Sequence, residues 1–334
     1  HNEGEDWMRW PLDGSTADAP RHDYNMYWPP EQVADFLTFM PAMLEAQGMG
    51  DIGLAPGETS NWYRFSEWGY ADAIADAIAD APEAVQNLGL ITSHGFKGAS
   101  QPGRWYGDWR SLGIDILRAA SFAKANSFAE GLPTEALADA HEALHAWVTS
   151  TSWSDMDVLF VNELRNNIYC AKVNGIIPWA CVQRPGKWVG GDPNPGCAFR
   201  VYDDGSEARH PERSRRISHY EVTPGYYYFK QVSRAGQQGM RVARVLSNDS
   251  AIGLIAFASN GTVHPDTFVV LNMAKEAVPL EVQVMGSKQT AFETYRTSPG
   301  ERYVYLDTYV VKEGHIPYTT PAGSVTTFFG KTEG

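Results

Sequence analysis

The feature that most restricts the fold is an alternation that stops part-way along the chain. Short apolar runs at 51–56, 88–93, 144–149 and 176–182 are separated by stretches with helical spacing, and from Arg184 onward that spacing disappears. Strands joined through helices pair in parallel and bury both faces under those helices. The first helix opens at Pro30, a residue suited to a first turn, with Val33, Phe36, Leu37, Met40 and Leu44 recurring at helical intervals. Pro41 is expected to kink it and Gly48 to end it. Further helices are expected over 67–79, 108–125, 126–143 and 155–173, the last stopped by Gly175.

Downstream, apolar residues fall instead into short runs at 226–229, 240–246, 251–258, 267–273, 280–285, 291–295 and 323–329, divided by Gly, Asn, Asp and Pro. That texture predicts an antiparallel β-sandwich. The expected division is therefore three-part. Residues 1–185 form an α/β half, 186–224 a Pro/Gly-rich connector carrying Arg209, Arg213, Arg215 and Arg216, and 225–334 an all-β domain. Counting one strand just before Glu3, the α/β half holds about five strands and reads as the second half of a (β/α)8 barrel. Eight are needed for closure. The first three are expected from another chain, or are absent from this sequence.

Charge narrows the partners. A net charge of −13 and a pI near 5.1 disfavour nucleic acid and anionic membrane surfaces. No apolar run reaches the roughly 18 residues of a membrane span. The chain begins at His1 without an initiator Met or a signal segment, and reads as processed, trimmed or a fragment. Its 11 Trp, 16 Tyr and 14 Phe suit the flat apolar faces of sugar rings, and equally a large core beside a Tyr-rich β domain. Cys170, Cys181 and Cys197 are too few and too irregular for a zinc site; Cys181 could pair with Cys197, or all three could be free thiols. Glu5, Asp6 and Asp13 read as solvated loop charges. No metal and no cofactor are expected.

The chemistry concentrates at strand ends. Asn2-Glu3 can present a general acid beside a hydroxyl-binding amide. The other strand ends deliver Glu58, Asn61 and Trp62, then His94, then Ser150 and Trp153, with Trp179 on the last strand. His94 could bond a sugar or be structural, and Trp179 could floor a subsite or fill the core. Trp62 and Trp153 directly follow strand ends, which favours a cleft.

In this order, Asn2-Glu3, the Glu58 and His94-Gly95-Phe96 strand ends, Trp147-Val148-Thr149-Ser150, the Trp179 strand and the closing β domain with Tyr226-Tyr227-Tyr228-Phe229 resemble family 30 glycoside hydrolases, members of the retaining (β/α)8-barrel clan. The resemblance implies a barrel of which this chain supplies the C-terminal half, strands 4 to 8, with an attached β-sandwich, hydrolysis of a β-linked polysaccharide or oligosaccharide, an acid/base at Glu3 and a nucleophile at position 150. Asn2, Glu58, Trp62, His94, Trp153 and Trp179 would bind substrate. The departure is Ser150, because a serine hydroxyl cannot replace a carboxylate without an activating base. Three explanations stand open: an engineered replacement of glutamate, a pseudo-glycosidase that binds glycan without cleaving it, or a rewired enzyme that uses Glu58 with Glu3.

Overall fold

The computed structural model describes residues 28–56, 58–59, 62, 65, 69–81, 87–88, 90–95, 145–152, 156–169, 173–183, 196–203 and 217–331. The expected helices over 108–125 and 126–143 lie outside them. The described residues divide into two compact units.

In the first unit, α1 (Pro30–Ala46) starts where the sequence predicts. Pro29 is extended and Pro30 opens the helix, where a missing N–H costs nothing. Val33, Leu37 and Pro41 recur every four residues and are buried, and the helix continues through Pro41. Helix α2 (Tyr70–Asp80) buries Tyr70, Ile74 and Ala77 by the same periodicity and packs on α1. The Tyr70 hydroxyl donates to the Trp28 carbonyl at 2.6 Å, which satisfies the one polar atom of a buried ring.

These helices cover a sheet of β1 (Leu90–Ser93), β2 (His145–Ser152) and β3 (Gly175–Trp179), in that order. β1 and β2 are parallel, with Leu90 opposite His145 and Ser93 opposite Val148. Parallel bridges from Leu54 to Leu88 and from Thr59 to Ser93 extend the arrangement by one position. The four apolar runs of the sequence are thus neighbours in order, and among the described residues they do not close into a barrel. One face of this sheet is the core: Ile91, Ala146 and Val148 are fully buried with Val33, Leu37 and Ile74. The alternate residues Trp147, Ile177 and Trp179 are 38%, 48% and 49% exposed, as the period of two along a strand requires.

In the second unit, β4 (Val182–Gln183), β5 (Phe199–Asp203) and β6 (Ile217–Val222) form a small sheet, so the stretch read as connector carries paired strands. Helix α3 (Val158–Tyr169) begins in this unit and ends in the first. The Tyr226–Phe229 run, expected as a strand, belongs instead to helix α4 (Pro224–Ala235). The reason is legible afterwards. Thr223 is extended and Pro224 opens the helix, while Gly225, Tyr228, Gln231, Val232 and Ala235 are the buried positions, a helical spacing that outweighs the β preference of three tyrosines.

The rest is the expected sandwich. Strands β7 (Arg241–Val242), β8 (Ile252–Ala258), β9 (Thr267–Asn272), β11 (Ala291–Ser298), β12 (Glu301–Val310) and β14 (Val325–Gly330) form one sheet in the order β12-β11-β14-β9-β8-β7. Strands β10 (Val278–Gln283) and β13 (His315–Thr320) pair antiparallel as a second. Alternation along β14 assigns the two faces. Phe328 and Thr326 meet Tyr318 of β13, whereas Thr327 bonds the Gln231 carbonyl of α4 at 3.0 Å. Polar contacts fix the helix side: Gln231 donates to Thr297 at 2.9 Å, Thr267 to the Ala235 carbonyl and Tyr228 to the Gly323 carbonyl, both at 2.8 Å. Buried hydroxyls that find backbone acceptors hold position without a desolvation penalty.

Candidate active site

The strand ends of the first unit are laced together by short-range hydrogen bonds. Thr92 donates to the Pro56 carbonyl, and Ser93 donates to the Thr59 carbonyl at 3.1 Å, an acceptor shared with the His94 N–H at 2.8 Å. The Gly95 N–H returns to the Ser93 hydroxyl. From α3, the Asn167 amide donates to the Gly95 carbonyl at 3.1 Å and accepts from the Trp62 indole at 3.0 Å. Glu58 and His94 are therefore held by a frame in which backbone and side-chain polar groups are mutually satisfied.

Within this frame His94 Nδ1 lies 3.5 Å from Glu58 Oε2. Burial lowers the imidazole from 6.5 to about 4, and burial raises the Glu58 carboxyl above its ordinary 4.5, opposed by a hydrogen bond with Thr149. Both shifts favour the neutral forms. A carboxyl raised in this way holds its proton to a higher pH than an exposed one and can donate it there. Thr149 follows Val148 and shares the Trp147 face by alternation, opposite the core. The site thus consists of Glu58, His94 and Thr149 on the face that carries Trp147 and Trp179.

Of the sequence-derived candidates, Glu58 and His94 come together. Ser150 is half-buried in β2, adjacent to Thr149. Trp179 is half-exposed at the end of β3. Trp62, expected at a cleft, is 2% exposed and packs edge-on against Phe65 at 5.7 Å, a core position. Asn2, Glu3 and Trp153 lie outside the described residues. Thr149 and Asn167 were not anticipated. Among the described residues no cluster of three or more His, Cys, Asp or Glu could hold a metal, and no helix is long and apolar enough to cross a membrane.

Gly95 is indispensable to this frame. Its φ is +66°, and a Cβ there would lie 2.6 Å from Asn167 Oδ1 and 2.7 Å from Val148 Cγ2. Gly95→Ala is expected to cost about 2–4 kcal/mol, the sum of a left-handed alanine and an overpacked contact. Urea denaturation of the variant checks this; a loss below about 1 kcal/mol would remove Gly95 from the frame.

No protein-family model and no curated protein matches this chain. Solved structures do match it. A family 30 endoxylanase from Clostridium papyrosolvens C71 superposes with a TM-score of 0.59 at 13% identity, over 92% of this chain and 62% of that one. The family 30 subfamily 8 xylanase Xyn30A from Clostridium acetobutylicum gives 0.60 at 17%, over 95% and 64%. This chain has a family 30-like glycoside hydrolase fold. A family 44 endoglucanase from Clostridium acetobutylium ATCC 824 matches at a TM-score of 0.53 and 10% identity, over 92% and 62%. The family 30-like fold is therefore spanned in part: this chain corresponds to between 62% and 64% of the length of these three structures.

Proposed function

We propose that this chain belongs to a hydrolase of a β-linked polysaccharide or oligosaccharide, working by acid/base-assisted cleavage. The observation that carries the reading is the partly buried Glu58 carboxyl, raised above its ordinary pKa and set against His94 and Thr149 at the strand ends. The xylanase and endoglucanase activities named for the superposed structures support a neutral β-glycan, which an acidic protein does not repel. In this reading Glu58 and Glu3 are the two carboxyl groups, one protonating the glycosidic oxygen and the other acting from the opposite side of the anomeric carbon. Asn2 and His94 hold hydroxyls, and Trp179 and Trp153 offer flat faces to sugar rings. A polysaccharide substrate is too large to enter a cell, which suits a secreted or periplasmic protein.

Ser150 favours a second reading, a glycan-binding protein without turnover. The deciding experiment compares hydrolysis of β-xylan and β-glucan by this chain with that of the Glu3→Gln and Ser150→Glu variants. Cleavage by the unaltered chain that falls by orders of magnitude in Glu3→Gln supports the two-carboxylate hydrolase. Cleavage by Ser150→Glu alone transfers the nucleophile to position 150. Binding of a glycan with no cleavage by any form establishes the second reading.

A further inference from the structure

The face of the six-stranded sheet that carries α4 extends past the helix. Thr297 and Thr327 bond Gln231 of α4, so alternation assigns Glu293 and Tyr295 of β11 and Phe329 of β14 to the same face. Cross-strand pairing adds Tyr305 and Thr308 of β12, which stand opposite Tyr295 and Glu293. Aromatic rings gather there. Tyr295 stacks on Tyr303 at 5.0 Å and 19° and meets Tyr305 and Phe329 edge-on at 5.4 and 5.9 Å. Lys230 of α4 closes over Tyr303, with its Nζ 4.1 Å from the ring centre, whereas Tyr305 is 50% exposed.

The backbone of β12 is shaped to hold this cluster. Its register shifts twice against β11, and at each shift two residues of β12 stand against one. Such bulges re-aim side chains. At the first, Tyr303 takes a φ of +55°, which a bulky residue rarely adopts and which marks stored strain. The second brings Thr308 onto the face of Tyr305, three positions earlier, and their hydroxyls meet at 3.3 Å. The polar groups beside Tyr305 define what it can bind. Lys331 Nζ lies 3.7 Å from Glu293 Oε1, and these side chains are 54% and 41% exposed. The pair cancels its own charge, so the face selects neither a polyanion nor a cation, yet it offers a donor, an acceptor and hydroxyls next to a flat ring. A sugar presents the matching chemistry, a C–H face for the ring and hydroxyls at its rim. An apolar peptide would desolvate the ion pair without replacing its hydrogen bonds.

We propose that Tyr305, with Glu293, Thr308 and Lys331, forms a glycan-binding site on the sandwich, which holds a neutral β-linked polysaccharide by stacking one of its sugars on the Tyr305 ring. The β-linkage rests on the proposed hydrolysis of β-glycans. The site itself requires no cleavage, and it would keep a polymer attached to the protein between or without turnovers.

The test is electrophoresis of the full chain through native gels containing soluble β-xylan, soluble β-glucan or, as a polyanion, heparin. Retardation by a neutral glycan and none by heparin is expected. The dissociation constant should rise roughly tenfold or more in Tyr305→Ala, as for the loss of an aromatic anchor, while Tyr305→Phe, which keeps the ring, retains most of the binding. Tyr305→Ala alters a half-exposed edge position and is expected to fold, with the urea midpoint of the unaltered chain and the same rate on a short soluble oligosaccharide. If no form cleaves while retardation still depends on Tyr305, the hydrolase reading fails and the site stands. No retardation by either neutral glycan, or equal retardation of Tyr305→Ala and the unaltered chain, overturns the site. So does self-association in sedimentation that Tyr305→Ala abolishes without any glycan retardation, which would give this face to a second copy of the chain.

Discussion

Glu58→Gln is expected to reduce hydrolysis of the responsive β-glycan by roughly two to four orders of magnitude, the range that a positioned general acid or base contributes, while leaving the protein more stable at neutral pH. The two effects share one cause. Burial raises the Glu58 pKa above 4.5, so folding favours the protonated carboxyl. Its stabilising contribution is fully present below the unfolded value and is lost as pH rises through the folded value, where the partly buried group must ionise. Glutamine keeps the shape and hydrogen bonds but never ionises, so this part of the pH dependence disappears and the variant gains stability above that pH. His94 runs the other way. Its pKa, lowered to about 4, gives a contribution present above 6.5 and lost as pH falls towards 4 in both proteins. Activity and urea stability, measured from pH 4 to 8, check both halves. Unchanged turnover in Glu58→Gln would reduce Glu58 to a structural carboxyl and return the acid role to Glu3 alone.

How far the site could be read from the sequence depends on which contacts are local. Glu58 and His94 are strand-end residues, and a chain that alternates strand and helix delivers such residues to one edge of a parallel sheet, so their meeting follows from order alone. Asn167 does not follow. It joins Trp62, 105 positions earlier, to Gly95, 72 positions earlier, and only the packing of the helix that carries it reveals this. The same contact turned Trp62 from an expected sugar platform into a core residue. Thr149 was overshadowed by the absence of a carboxylate at Ser150, although alternation from the buried pair Ala146 and Val148 already assigns Thr149 to the other face.

In the second unit most strands were legible by their alternation, and the misses have separate causes. The tyrosines of α4 carry a strong β preference, yet Pro224 and the helical spacing of its buried residues decide the matter. β13 contains Pro317, which argues against a ladder position; the strand tolerates it because β13 pairs with β10 alone. β12 lacks a fully buried position along its whole length, so its apolar residues give no simple inward-facing register. It is an edge strand, paired with β11 alone.

The largest loss of stability is expected from Phe328→Ala, at about 3–5 kcal/mol. Phe328 is fully buried on β14 and stands in register with Phe268 of β9, on which it stacks at 4.3 Å and 9°. Tyr318 and Tyr309 meet it edge-on at 5.2 and 5.8 Å from β13 and β12, so one ring joins both sheets of the sandwich. Truncation removes the transfer energy of a phenyl ring and the geometry-dependent part of its aromatic pairs, about 0.5–1.5 kcal/mol each. It also leaves a cavity that cannot collapse, because Thr326 and Thr327, on opposite faces of the same strand, are held by Tyr318 and Gln231. Against a typical domain stability of about 5–15 kcal/mol, that loss is a large fraction of the whole. Phe328→Leu, which retains much of the apolar volume, is expected to lose less than half as much. Phe39→Ala on the exposed side of α1, where the ring is 50% accessible, should stay within about 1 kcal/mol. Equal losses for Phe328→Ala and Phe39→Ala in urea denaturation would mean that the sandwich core is not organised around this ring.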